Sequence, residues 1–172
     1  MKLETNRLEI VPLNSHELKL ITENINEFEK ELNCKYCGEE MDWIILKIFK
    51  SQIPLVQNNS EDYLWHTFWL FKLKNEEKFI GSACFKSIPD VNGEVEIGYG
   101  INENYKSNGY TTEAVTAMCK WALKHSSVTK VLAETEKNNI QSQRVLEKCD
   151  MKIFKETEDY YWWSLTKDSS LR

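Results

Sequence analysis

The chain predicts an α/β fold with a mixed, mostly antiparallel central sheet flanked by helices, and three observations carry that expectation. Its middle holds three strand-like runs, "YLWHTFWLFKL", "KFIGSACFKSI" and "GEVEIGYGI", joined by short connections. A strand, helix, strand order follows, in which "KVLAETE" returns after the helical run "VTAMCKWALKH" and lies parallel to "VEIGYGI" by a right-handed crossover. Two more strand-like runs, "KIFKE" and "DYYWWSL", complete the pattern. At 172 residues, with no linker, repeat or low-complexity segment, residues 1–172 are read as one domain.

Taken in order, "NRLEIVPL" places Leu8, Ile10 and Leu13 at the alternating positions of a half-buried strand. Asn14 or Ser15 caps a helix beginning "HELKLI", and the pattern stays mostly helical to about Val56, with Ile44, Ile45, Ile48 and Phe49 on one face. Pro54 is expected to end that helix. "KNEE" is a turn of hairpin length between the next two strands. In "GEVEIGYGI", Val95, Ile97, Tyr99 and Ile101 share one face, and Glu94, Glu96, Gly98 and Gly100 the other. Three consecutive antiparallel strands are the simplest arrangement. A helix from Thr111 to about His125 and another from about Ile140 to Lys148 flank "KVLAETE".

The net charge of −5 and the scattering of basic residues argue against a nucleic-acid partner. No apolar run reaches the roughly 20 residues of a membrane span, and the start lacks a signal-peptide layout, so a cytoplasmic location is expected. Four of the five cysteines fall in or beside apolar segments, as buried reduced thiols do. Cys34 and Cys37, in "CKYC", are read as part of a helix-to-helix turn rather than half a zinc site, because further ligands at matching spacing are missing. Large aromatics near "YYWW" are core residues or the wall of an acceptor pocket.

The chemistry concentrates in "KSNGYTTEA", Lys106 to Ala114, a polar loop around one glycine that opens into a helix. Backbone N–H groups near Ser107 to Thr112 lack intrahelical partners and sit at the positive end of the helix dipole, a ready anion site. Gly109 permits a positive φ and leaves room for a phosphate, and Lys106 adds a charge. The spacing is neither a Walker loop nor a dinucleotide fingerprint.

Lys106-Ser107-Asn108-Gly109-Tyr110-Thr111 resembles the pyrophosphate loop of the GNAT superfamily, the acyl-CoA-dependent N-acetyltransferases. The following "TEA", the downstream "NNIQSQRVLEKCDM", the strand "EIGYGI" and the early "TNRLEIVPL" are similar to the branch that acetylates ribosomal-protein N-termini. Lys106, Thr111, Asp150 and Met151 depart from that branch's pattern. The resemblance implies a splayed parallel strand pair whose free backbone, at Tyr99 and Ile101, holds the pantetheine arm. It also implies that Ser107, Asn108, Gly109, Tyr110, Thr111 and Thr112 cradle the pyrophosphate, and that Asn139 and Ser142 lie beside the arm.

By the same resemblance, acetyl-CoA is the donor, a protein N-terminus or small-molecule amine is the acceptor, transfer is direct, and no metal takes part. Glu96 is expected as the general base, with Glu94 the competitor and two solvent-facing strand residues the plainer reading. Leu146 stands where other members carry a proton-donating tyrosine, so Ser142 inherits that role. Asn139 could equally be a simple helix cap. A CoA-binding module without turnover is the alternative function, and exposed strand edges are compatible with a homodimer.

Overall fold

The computed structural model describes residues 1–38 and 41–167. The first part of the chain forms β1 (Leu3–Glu4), β2 (Leu8–Pro12), α1 (Ser15–Glu23), α2 (Ile25–Leu32), β3 (Lys35–Tyr36), α3 (Trp43–Asn58) and α4 (Tyr63–His66). The second part forms β4 (Phe68–Leu73), β5 (Lys78–Phe85), β6 (Glu94–Ile101), α5 (Tyr110–Lys124), β7 (Lys130–Glu136), α6 (Ile140–Lys148), β8 (Lys152–Glu156) and β9 (Tyr160–Thr166). The strands join in the order β1-β2-β4-β5-β6-β7-β9-β8, with β3 attached to β5 off that path.

The expected mixed sheet is present. Strands β4, β5 and β6 form an antiparallel meander, and β7 returns parallel to β6. One face packs on α5, where Val95, Ile97 and Ile101 belong to one core with Val115, Met118 and Ala122. The other face packs on α1 to α3, where Leu18, Phe28 and Phe49 share a core with Leu70 and Phe79. Burying two sheet faces against helices is how a chain of this size removes most of its apolar surface from water. Trp65, Trp69, Trp121 and Trp163 are all buried, so most of the tryptophan is core, and Trp163 Nε1 donates to Thr135 Oγ1 at 2.9 Å.

Local signals account for the helix starts. Asn14 accepts from the Glu17 N–H while Glu17 reaches back to the Asn14 N–H, a reciprocal capping box that satisfies two donors. Asp42 accepts from the N–H groups of Ile44 and Ile45 at the start of α3.

Three expectations need correction. Pro54 lies inside α3, which continues to Asn58. Phe49 and Val56 are buried on either side of it, and Phe49 stacks on Phe68 with ring centroids 3.7 Å apart, so packing outweighs the one lost helical bond. "YLWH" is a helical turn, α4, rather than strand. It inserts Trp65 among Phe85, Trp121 and His125, and the Leu64 carbonyl accepts from Trp69 Nε1 at 3.0 Å. "CKYC" contains the short strand β3, parallel to β5, rather than a helix-to-helix turn. Cys34 is buried there and Cys37 half-buried, and both are free thiols. Burial pushes the Cys34 thiol up to about 11.

Candidate active site

The parallel pair is short. Strands β6 and β7 are in register only from Glu94 opposite Lys130 to Glu96 opposite Leu132, and from Ile97 onward β6 has no strand partner on that side. The direction of its backbone groups follows from the other edge. The Lys86 N–H donates to the Glu96 carbonyl at 2.9 Å and the Asn102 N–H to the Ile80 carbonyl at 3.0 Å, so the even-numbered residues of β6 face β5. Main-chain groups alternate along a strand, so those of Ile97, Tyr99 and Ile101 face the gap. A ligand with amide groups is the natural partner for that edge.

The gap leads to the start of α5. Gly109, the N-cap, has φ 80° and no side chain to cap the helix. The first intrahelical bond runs from the Glu113 N–H to the Gly109 carbonyl at 3.1 Å, which leaves the N–H groups of Tyr110, Thr111 and Thr112 ahead of it without helical acceptors. A serine or aspartate at the cap would satisfy those donors; glycine leaves them to a ligand, with the helix dipole behind them. Ser107 also sits at a positive φ, 63°, which bends the loop around the helix end.

Tyr99, Ile101, Lys106, Ser107, Gly109, Tyr110, Thr111, Thr112, Asn139 and Ser142 line one cleft of about 400 Å³. Asn108 stands apart from the lining. Its side-chain amide instead donates to the carbonyls of Tyr105 and Lys106, at 3.2 and 3.0 Å, and braces the loop from within. Lys106 reaches the cleft but is paired with Glu103, Nζ to Oε2 at 2.5 Å. Glu103 is largely exposed, so that pair is weak and open to competition from an anion.

Helix α6 forms the opposite wall. Asn139 caps it, accepting from the Ser142 N–H at 3.0 Å, and also borders the cleft, so capping and lining coexist. Gln141, Arg144, Val145 and Lys148 join the lining, although sequence reading did not select them. Their spacing of three to four residues marks one helix face and was the signal available. Arg144 and Lys148 add two positive charges to the cleft.

Two hydroxyls meet at the inner end. Tyr99 Oη lies 2.7 Å from Ser142 Oγ and donates to the Ser142 carbonyl at 3.2 Å. Burial pushes the Tyr99 phenol well above its ordinary value, only partly offset by the hydrogen bond to Ser142. The phenol therefore stays protonated. The side chain of Tyr99 thus has a partner that the sequence reading, which used only its backbone, did not assign. Leu146 is fully buried and belongs to the core.

Glu96 and Glu94 lie on the face of β6 opposite Val95 and Ile97. Glu94 is held by Lys130, Nζ to Oε1 at 2.5 Å, at the closed end of the strand pair. Glu96 occupies the last paired position, where the gap begins. Its Oε1 is buried and paired with the Lys86 ammonium. Two residues on, a side chain at Gly98 would meet no atom within 4 Å beyond its neighbours in the chain, so the space beside Glu96 is open.

Comparison with known proteins decides the family. Residues 7–152 match the model of the acetyltransferase (GNAT) domain. The chain is also 30% identical over 166 residues to the uncharacterized N-acetyltransferase YjdG of Bacillus subtilis, covering 94% of this chain and 95% of that one. The chain belongs to the GNAT acetyltransferases. It is therefore an acyltransferase, of N-acetyltransferase kind. Among solved structures, this GNAT fold is similar to the ribosomal-protein-S5-alanine acetyltransferase from Vibrio fischeri, with a TM-score of 0.73 at 18% identity over 98% of this chain and 97% of that one. It is similar also to RimL, a ribosomal L7/L12 α-N-protein acetyltransferase in complex with coenzyme A, with a TM-score of 0.69 at 14% identity over 98% and 99% of the two chains.

The departures from the family pattern are accommodated locally in this GNAT chain. Asp150 takes the left-handed conformation, φ 62°, that ends α6 and that glycine adopts most readily. The Met151 N–H returns to the Leu146 carbonyl at 3.1 Å, and the Met151 side chain is buried in the core. Thr111 is buried within the first turn of α5. Among the described residues no group of three or more His, Cys, Asp or Glu is placed to hold a metal ion, and no helix is long and apolar enough to cross a membrane.

Proposed function

We propose that this chain moves an acetyl group from acetyl-CoA directly to a primary amine, either a protein or peptide N-terminus or a small-molecule amine. One observation carries the reading: the unpaired main chain of Tyr99 and Ile101 and the unpartnered N–H groups of residues 110–112 open into the same cleft. A ligand that fits both must carry amides at one end of its reach and an anion at the other. Coenzyme A has that order, pantetheine then pyrophosphate, and it is the ligand bound in RimL. Arg144 and Lys148 supply further positive charge for its phosphates.

Acetyl-CoA supplies the acyl group as a thioester, so the protein has two proton tasks: to deprotonate the amine and to protonate the departing sulfur. Glu96 takes the first, directly or through a water, because it stands where β6 and β7 part and Glu94 does not. An approaching ammonium competes with Lys86 for the same buried oxygen. Ser142 takes the second. Ser142 Oγ lies 2.7 Å from the Tyr99 phenol, which aligns the hydroxyl to give its proton to the departing thiolate, and a water restores that proton.

The test is a calorimetric titration of acetyl-CoA into the wild type and Gly109→Trp, followed by thiol release in the presence of candidate amines. Binding by the wild type is expected, with loss in Gly109→Trp, whose side chain is strained at φ 80° and meets Arg7 Nη2, so that the loop must shift. Glu96→Gln is expected to bind acetyl-CoA like the wild type and to release thiol roughly 100-fold more slowly. No binding by the wild type overturns the reading. Binding without thiol release for any amine favours a module that holds coenzyme A without turnover.

A further inference from the structure

The turn between β1 and β2, remote in sequence from the loop, holds the phosphate loop from outside the cleft. The Arg7 side chain in that turn makes three contacts with the loop and the first turn of α5. Arg7 Nε pairs with Glu113 Oε2 at 2.7 Å, and Nη1 donates to the Asn108 carbonyl at 2.9 Å. The guanidinium carbon lies 4.4 Å above the centroid of the Tyr110 ring, and Nη2 would lie 3.4 Å from a Cβ placed on Gly109. One planar group therefore abuts Asn108, Gly109, Tyr110 and Glu113, the residues through which the chain passes from left-handed turn to helix.

Glu113 is the other half of this latch. Its Oε1 accepts from the Arg7 N–H at 2.7 Å and from Thr5 Oγ1 at 2.5 Å, in addition to the pair at Oε2. Burial opposes its charge, but the hydrogen bonds from Thr5 and Arg7 and the charge of Arg7 outweigh it, and its carboxyl is held below the ordinary carboxylate value. The glutamate of "TEA" thus anchors a strand turn from the start of the chain to the first turn of α5.

We propose that Arg7, through Glu113, is a positioning residue for the donor: it holds the phosphate loop in its binding shape without lining the cleft. The inference rests on the reading of that loop as the pyrophosphate cradle. A site that binds through main-chain N–H groups depends on where the backbone is fixed, and Gly109, with no side chain, cannot fix it. Arg7 supplies the constraint, and its fork cannot be copied by a lysine, which has neither the planar face for Tyr110 nor parallel donors for Asn108 and Glu113.

The experiment measures the Kd for acetyl-CoA, together with thermal unfolding, for the wild type, Arg7→Ala, Arg7→Lys, Glu113→Ala and the double variant Arg7→Ala/Glu113→Ala. Arg7→Ala is expected to weaken binding about tenfold, the effect of one charge-assisted contact, with Arg7→Lys intermediate. The double variant is expected to bind no worse than the weaker single variant, because both act on one latch. Measuring Kd well below each unfolding midpoint separates loop position from loss of folded protein. If Arg7→Ala fails to fold, Arg7→Lys and Glu113→Ala carry the comparison. Binding within twofold of the wild type in these variants, or losses that multiply in the double variant, overturns the proposal. Absence of binding by the wild type itself removes the reading of the cradle, and this inference with it.

Discussion

Gly98 offers a perturbation in which stability and activity should move in opposite directions. It lies mid-strand in β6 at a negative or extended φ, and no atom outside its chain neighbours comes within 4 Å of where its Cβ would stand. Glycine inside a strand costs about 0.5–1 kcal/mol relative to alanine, and a β-branched residue is favoured there on a scale of about 1 kcal/mol. Gly98→Val should therefore stabilise the fold by about 1 kcal/mol, raising Tm by about 2–4 °C for a chain of this length. The same side chain projects into the space beside Glu96. A reacting group displaced there by about 1 Å loses roughly 100-fold in rate. Circular dichroism melting and thiol release with a competent amine read the two effects separately. A fall in Tm would mean that the space is needed by the fold. Unchanged turnover would mean that the reacting carbonyl does not lie there, and the placement of Glu96 as base would fail with it.

Two further outcomes follow from the hydrogen bonds. Ser142→Ala should lower kcat by roughly 100-fold while leaving the Kd for acetyl-CoA unchanged, and Tyr99→Phe should give a smaller fall in kcat because water can replace its proton but not its alignment; full activity in Ser142→Ala assigns the acid role elsewhere. Because the Glu113 carboxyl lies below its ordinary value of 4.5 in the folded state, its stabilisation is complete above the unfolded value and is lost as pH falls through the folded one. Tm should accordingly drop as pH falls below the ordinary carboxylate range, and Glu113→Gln should lower Tm at neutral pH and flatten part of that drop. An equally steep drop in the variant would show that Glu113 is not a source of it.

Much of the fold was legible because its signals are local. The alternation in "GEVEIGYGI" placed β6, "KNEE" placed a hairpin turn, and the strand-helix-strand order around "VTAMCKWALKH" placed the parallel return of β7. The loop at Gly109 was legible for the same reason: a glycine ahead of an apolar helical run leaves backbone donors uncapped wherever it occurs. Pro54, "YLWH" and β3 were misread where packing overrode propensity. Phe49 on Phe68 carries α3 past its proline, and the fit of Trp65 among Phe85 and Trp121 turns a strand-like run into a helical turn.

By itself, then, the sequence determined the succession of strands and helices around β6, α5 and β7 and the glycine loop at the head of α5, because each depends on residues within one turn or one strand of each other. The tertiary structure alone decided where β6 and β7 part, and so which glutamate stands at the opening. It also joined Tyr99 to Ser142 across 43 positions and Arg7 to Glu113 across 106. Such pairs leave no trace in local pattern, because side-chain chemistry sets what a residue can bond to, while only the closed sheet and its packed helices set which partner comes within reach.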